Sequence, residues 1–260
     1  MDGGTIDPAA IKKALTPKTR MIALTHASNV LGTIQPVAEA GRIARQHDAL
    51  LLVDAAQTAG AVPIDIEAMH IDLLAFPGHK SLFGPTGTGA LYVGSRAKVG
   101  PWREGGTGGD SASETQPKEF PYFLEGGTPN VLGVAGLTAG IRYVVDEGVD
   151  NIRRHEVELT ERLWEKLLEL EDIHILGHRD MNRRVGTLSF HTPTLAAAEL
   201  GGILDQAFDI AIRPGLHCAP YIHKSVGSFP DGAVRVSTGP FNTAADIDTL
   251  AQALGDILEM

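Results

Sequence analysis

Four side chains in this chain have types and settings suited to covalent or ionic chemistry: Asp54, Lys80, Cys218 and Arg235. Asp54 closes the apolar run LLLV at 50–53, and Lys80 follows the apolar run 71–76 through Pro77, Gly78 and His79. Apolar runs of this kind suit strands covered on both faces, and open α/β sheets bind ligands at the carboxyl ends of their parallel strands. If the two runs are neighbouring parallel strands, an acid and an amine meet at one rim. Taken singly, Asp54 reads as a helix N-cap and Lys80 as a solvated loop charge. Taken together at a sheet mouth, they suit a desolvated amine able to form a Schiff base, with a nearby anion. Cys218 is the sole cysteine, either a small buried hydrophobe or a reactive thiol. Its setting, IRPGLHCAP, places His217 beside it and Arg213 close by, and positive neighbours favour the thiolate. Arg235 ends a strand-like run, VRVSTG, where a surface ion pair is the plain reading. An amino-acid carboxylate, however, is best held by a guanidinium fork.

The elements that must position these residues follow from pattern and punctuation. Asp7-Pro8 opens a short helix over 9–15, and MIALTHAS (21–28) reads as a strand that reaches a polar edge at Thr25 and His26. A helix over 36–47 and the strand at 50–53 complete a βαβ unit, which implies a parallel sheet with a right-handed crossover. Residues 81–96 supply a glycine-rich turn and a further strand. The segment 100–130, rich in Gly, Ser and Pro, is a long loop whose turns GGTGG and EGGTPN offer backbone amides to an anion. Helices are expected over 131–145 and 151–170, with a boundary near Glu147. Beyond it the pattern is α+β: strands at 173–176, 185–192, 208–213 and 233–238, and helices at 195–207 and 243–259. The expected organisation is therefore a larger unit, 1–146, with a mainly parallel α/β sheet, and a smaller α+β unit, 147–260.

Composition narrows the function classes. The net charge of −10, from 22 basic and 32 acidic residues, argues against a nucleic-acid surface and supplies no polybasic membrane patch. No apolar run approaches the ~18 residues needed to span a bilayer. With one cysteine there is no intrachain disulfide framework, which fits a reducing compartment. A cytoplasmic protein is expected. The histidines, His174, His178 and His191 among them, lack metal-ligand spacing, so no metal site is expected. GTGALY (87–92) is no dinucleotide fingerprint, because Tyr92 stands at its last position. His26 is expected to serve packing or a supporting hydrogen bond.

Six segments in order, THASNVLGT, VDAAQTAG, FPGHKSLFGPTGTGALYVG, EGGTPN, RPGLHCAP and VRVSTGPFNT, cover nearly the whole chain. Together they resemble the class V branch of fold-type I pyridoxal-phosphate enzymes, and within it the cysteine desulfurase and selenocysteine lyase family. The resemblance implies pyridoxal 5'-phosphate as cofactor and L-cysteine or L-selenocysteine as substrate. The products would be alanine and a persulfide on Cys218, of use in iron–sulfur cluster assembly. It makes Lys80 the lysine that binds the cofactor covalently, and Asp54 the acid that keeps the pyridine nitrogen protonated. Gln57 and Asn29 would lie at the phenolic oxygen, with His79 at the phosphate. Thr128 would reach the phosphate of a partner subunit, which implies a homodimer, and a sulfur-acceptor protein is a possible further partner. Arg235 would bind the substrate carboxylate, with Asn29, Arg213 and His217 around the substrate. A class V aminotransferase and a non-catalytic scaffold or partner subunit are the competing expectations.

Two departures qualify the resemblance. Pro77 stands where many members have a serine, so one hydroxyl donor to the phosphate is absent. The family also has residues upstream of the point matching Met1, which supply a phosphate-binding turn and an aromatic residue, usually histidine, stacked on the ring. Those features do not occur within these 260 residues, and a chain beginning at Met1 is expected to bind cofactor weakly.

Overall fold

A computed structural model describes residues 3–106, 110 and 112–259. Residues 107–109 of the GGTGG turn lie outside the described residues. The first sheet has the order β1-β2-β3-β4, formed by Met21–Thr25, Leu50–Asp54, Leu73–Pro77 and Gly89–Val93. β1, β2 and β3 are parallel and β4 is antiparallel. Between β1 and β2 the chain forms α2 (Val37–Gln46), and α1 (Pro8–Ala14) precedes β1. Asp7 caps α1 by accepting the Ala9 N–H at 2.8 Å, with Pro8 at the first helical position, where its missing N–H is not needed. Val37, Ala40 and Ala44 of α2 pack on Leu51 and Val53. This is the βαβ arrangement expected from the sequence.

The second sheet is antiparallel with the order β5-β6-β8-β7: His174–Leu176, Thr187–His191, Ala233–Ser237 and Arg213–Gly215. Helices α4 (Val149–Leu168), α5 (Ala197–Phe208) and α7 (Ala244–Leu258) bury Leu163, Leu200 and Leu254 with Phe190 and Val234 of the sheet in one core. α3 (Val131–Glu147) runs into α4 through Gly148, whose φ of 81° makes the corner. Two expectations are corrected here. The strand expected at 208–213 forms instead at Arg213–Gly215, because Phe208 completes α5 and Asp209 caps it in the left-handed region, φ 55°. Ile210 and Ile212 pack against the core without a ladder partner. A short helix not foreseen, α6 (Pro220–Val226), follows Cys218.

The loop after β1 ties the two sheets together. Ser189 Oγ donates to the Val30 carbonyl at 2.6 Å and the Val185 N–H to the Gly32 carbonyl at 2.9 Å. Thr33 bridges to Arg184, a fully buried arginine that donates to the His178 and Thr187 carbonyls at 2.7 and 3.0 Å and lies over the Trp164 ring. Asn29 is thereby held between the sheets. Among the described residues no helix is long and apolar enough to cross a membrane.

Candidate active site

The site starts at the carboxyl ends of the parallel strands, where Thr25, Asp54 and Ala75 stand in register. The chain leaves β3 at Pro77 and reaches Lys80 three residues later, so Asp54 and Lys80 share a rim. The Lys80 turn is closed by the Phe83 N–H donating to the Lys80 carbonyl at 2.9 Å and the Gly84 N–H to the Gly78 carbonyl at 2.8 Å. α3 packs down on it through Gly140, where any Cβ would collide with the Leu82 carbonyl. Asp54 Oδ1 accepts the Ala56 N–H at 2.9 Å. It caps a turn rather than the helix of its plain reading.

A cleft of about 460 Å³ lies between this rim and the second sheet. It is lined by Asn29, Gln57 and Lys80 from the first part of the chain and by Arg213, His217, Cys218 and Arg235 from the second. Arg213 and Arg235 sit opposite each other on β7 and β8. Cys218 is an exposed free thiol at the end of a turn in which His217 and Cys218 are both left-handed, φ 51° and 59°. Each such non-glycine residue costs on the order of 1 kcal/mol, so the turn must be held from outside. Three expected residues stay out of the cleft's lining: Asp54, His79 and Thr128 are exposed and do not line it, although Asp54 stands on the same rim as Lys80.

Charges couple across the cleft. Burial draws the Lys80 amine below the usual lysine range; Asp54 opposes that shift and Arg235 adds to it. Lys80 remains open to solvent along part of its length. Arg235 is lowered by burial and by Arg213 and supported by Cys218. His217 is lowered chiefly by burial, although its Nε2 donates to the Arg213 carbonyl at 2.9 Å. That bond makes Nε2 the protonated nitrogen of the neutral ring. His217 Nδ1 and Arg235 Nε are left buried with no partner among the described residues. Unsatisfied buried polar atoms are costly, and both of these belong to residues that line the cleft.

A family model described as aminotransferase class-V matches residues 1–250. The chain belongs to the aminotransferase class-V family. Among relatives within this class-V group, a probable cysteine desulfurase of Methanothermobacter thermautotrophicus is 37% identical, over 100% of this chain and 66% of its own length. A cysteine desulfurase of Escherichia coli O157:H7 is 36% identical, over 96% and 61%. The apo structure of a cysteine desulfurase from Thermococcus onnurineus NA1 superposes with a TM-score of 0.92 at 35% identity, covering 100% of this chain and 65% of that one. The E. coli cysteine desulfurase CsdA, an S-sulfonic acid form, gives 0.88 at 31%, covering 97% and 62%. The chain thus spans somewhat under two thirds of the length of these class-V relatives.

Class-V enzymes of this kind depend on pyridoxal phosphate. The residues present fit that group: a partly desolvated lysine within the field of the Asp54 carboxylate, in a cleft also lined by Asn29, Gln57, Arg213 and Arg235.

Glu156 of α4 also lines the cleft and was not anticipated. The signal was available, because Glu156 interrupts the buried stripe of Ile152, Leu159, Leu163 and Leu167 at helical spacing. Burial pushes its carboxyl up to about 7, against a smaller opposing effect of Arg153. Arg153 donates instead to the Arg184 and Asn182 carbonyls, at 2.9 and 2.8 Å. An acid whose folded value lies above its unfolded value near 4.5 favours folding at low pH; that contribution is lost as pH rises from 4.5 through 7. The Glu156→Gln variant is expected to be more stable than wild type above pH 7, by up to about 3 kcal/mol. Urea denaturation of both proteins across the pH range checks this, with equal stability at all pH values as the contrary result. The variant is the necessary reference because His26 runs the other way. Buried and hydrogen-bonded to Thr58 Oγ1 at 2.9 Å, His26 is lowered to about 4, mainly by burial and then by Arg153, and it penalises the folded state as pH falls below 6.5.

Proposed function

We propose that the chain carries the active cleft of a pyridoxal-phosphate-dependent cysteine desulfurase, converting L-cysteine to L-alanine and leaving sulfur on Cys218. The observation that supports this best is the meeting of an amine, a guanidinium and the sole thiol, Lys80, Arg235 and Cys218, in one cleft. When bound, pyridoxal phosphate supplies an electron sink for charge developing at the substrate Cα. Lys80 would hold the cofactor and move the Cα proton, and an amine drawn down by burial is suited to both tasks. With the cofactor bound, Asp54 would hold the proton on the pyridine nitrogen and Gln57 and Asn29 would serve the phenolic oxygen; His79 would serve the phosphate from outside the cleft lined here. Arg235 grips the substrate carboxylate, with Arg213 and His217 completing the substrate's surroundings. Cys218 Sγ takes the substrate sulfur: the Cβ–S bond breaks, an S–S bond forms to give a persulfide, and the carbon skeleton regains its protons and leaves as alanine. L-Selenocysteine is an alternative substrate of the same geometry.

The reading extends to organisation. The chain divides into a cofactor-binding unit, 1–146, and a smaller unit, 147–260. It pairs as a homodimer in which Thr128 reaches the partner's cofactor. In support, α3 begins just after Thr128 and exposes Val131, Leu132 and Val134, with Leu132 87% exposed. A sulfur-acceptor protein would then discharge the persulfide, and a cytoplasmic location suits a single reduced thiol. The test is alanine release from L-cysteine by the pyridoxal-phosphate-loaded protein. Transamination that is unaffected by loss of Cys218 would favour a class V aminotransferase instead.

A further inference from the structure

Hydrogen bonds both local and long-range hold the left-handed turn carrying Cys218. Two are local: the Ala219 N–H to the Leu216 carbonyl at 2.9 Å, and His217 Nε2–H to the Arg213 carbonyl at 2.9 Å. Another crosses 188 residues of sequence, from Asn29 Nδ2 to the His217 carbonyl at 2.7 Å. Because a carbonyl can only accept, the Asn29 amide must present its nitrogen here, which fixes the side chain's orientation. The main-chain carbonyl of Asn29 meanwhile accepts from Arg235 Nη1 at 3.1 Å. One residue therefore contacts both the turn that presents the thiol and the guanidinium across the cleft from Lys80. Asn29 can act as a fixed point because its own segment is immobilised. Val30 and Leu31 are buried, the Val30 carbonyl is held by Ser189, and Asn29 follows by four residues the Thr25 that pairs with Asp54.

We propose that Asn29 is a positioning residue for the Cys218 thiol. Its side-chain amide locks the left-handed His217–Cys218 turn against the β1 loop, while its main-chain carbonyl sets Arg235, so thiol and guanidinium keep a fixed relation to the Asp54–Lys80 rim. A sulfur transfer is sensitive to misplacement of the attacking atom, which gives the clamp its use. This rests on the desulfurase reading for its purpose, but not for its geometry.

The test uses the full chain and two variants, Asn29→Asp, which keeps the shape but replaces the donor with an acceptor, and Asn29→Ala. Neither removes the main-chain carbonyl that holds Arg235. Amide hydrogen exchange in peptides covering 214–222 is expected to accelerate about tenfold or more in both variants, with peptides from β6 and β8 unchanged. In desulfuration assays kcat should fall about tenfold or more, and because Asn29 also lines the substrate's cleft, exchange at 214–222 is the readout that separates the clamp from direct contact with substrate or cofactor. Exchange at 214–222 within about twofold of wild type in both variants would overturn the proposal. So would acceleration spread evenly over the whole chain, the sign of a merely structural residue. If wild type releases no alanine, the desulfurase reading fails, and the exchange result alone still decides the clamp.

Discussion

Cys218→Ala is expected to lower alanine release from L-cysteine by roughly a thousandfold or more, the scale on which loss of a covalent nucleophile acts. The variant should bind pyridoxal phosphate as wild type does, because Cys218 stands across the cleft from Lys80, on the second-sheet side. Several features make the thiol suited to the task. It is exposed and free, it is the chain's only cysteine, and it lines the same cleft as Arg235 and Lys80. The lack of other cysteines also makes the chemistry readable: after one turnover, intact mass should rise by a single sulfur in wild type and not at all in Cys218→Ala. Undiminished alanine release by the variant would remove Cys218 from the mechanism.

Arg235→Ala should raise KM for L-cysteine by about two orders of magnitude. A bidentate, charge-assisted guanidinium–carboxylate pair in a partly desolvated site is worth about 3 kcal/mol, and each 1.4 kcal/mol is about tenfold. Arg235 is set up for such a pair. It lines the cleft, Nη1 is fixed on the Asn29 carbonyl, and burial, then the neighbouring Arg213, disfavours its charge, which an anion would offset. Arg235→Lys keeps the charge but loses the fork, so only part of the affinity should return. Steady-state kinetics on both variants checks this, and a KM unchanged in Arg235→Ala would show that another group binds the carboxylate.

The parallel sheet was legible because LLLV and its neighbours are short apolar runs ending in polar residues, separated by a helix of the right length. The same reasoning placed Asp54 and Lys80 at one rim, as the register of Thr25, Asp54 and Ala75 bears out. It failed at 208–213, where alternation of apolar residues imitates a strand. Which residues join the sheet was decided instead by β8, whose Ala233 and Arg235 pair with Gly215 and Arg213. It missed α6, whose seven residues are too few to show a period. Asn29's bond to His217 was beyond reach of any local pattern, since the partners lie 188 residues apart. The roles expected of His79 and Thr128 came from the family resemblance alone, and neither side chain lines the cleft. Glu156, by contrast, was readable as an acid on a buried helical stripe.

The central claim is that the cleft between the two sheets binds pyridoxal phosphate through Lys80. Its most direct measurement is to incubate the full chain with pyridoxal phosphate, reduce with borohydride, digest, and map the pyridoxyl group by peptide mass. The account predicts one modified lysine, Lys80, and none in Lys80→Ala. Modification spread over other lysines, or undiminished in Lys80→Ala, would contradict it.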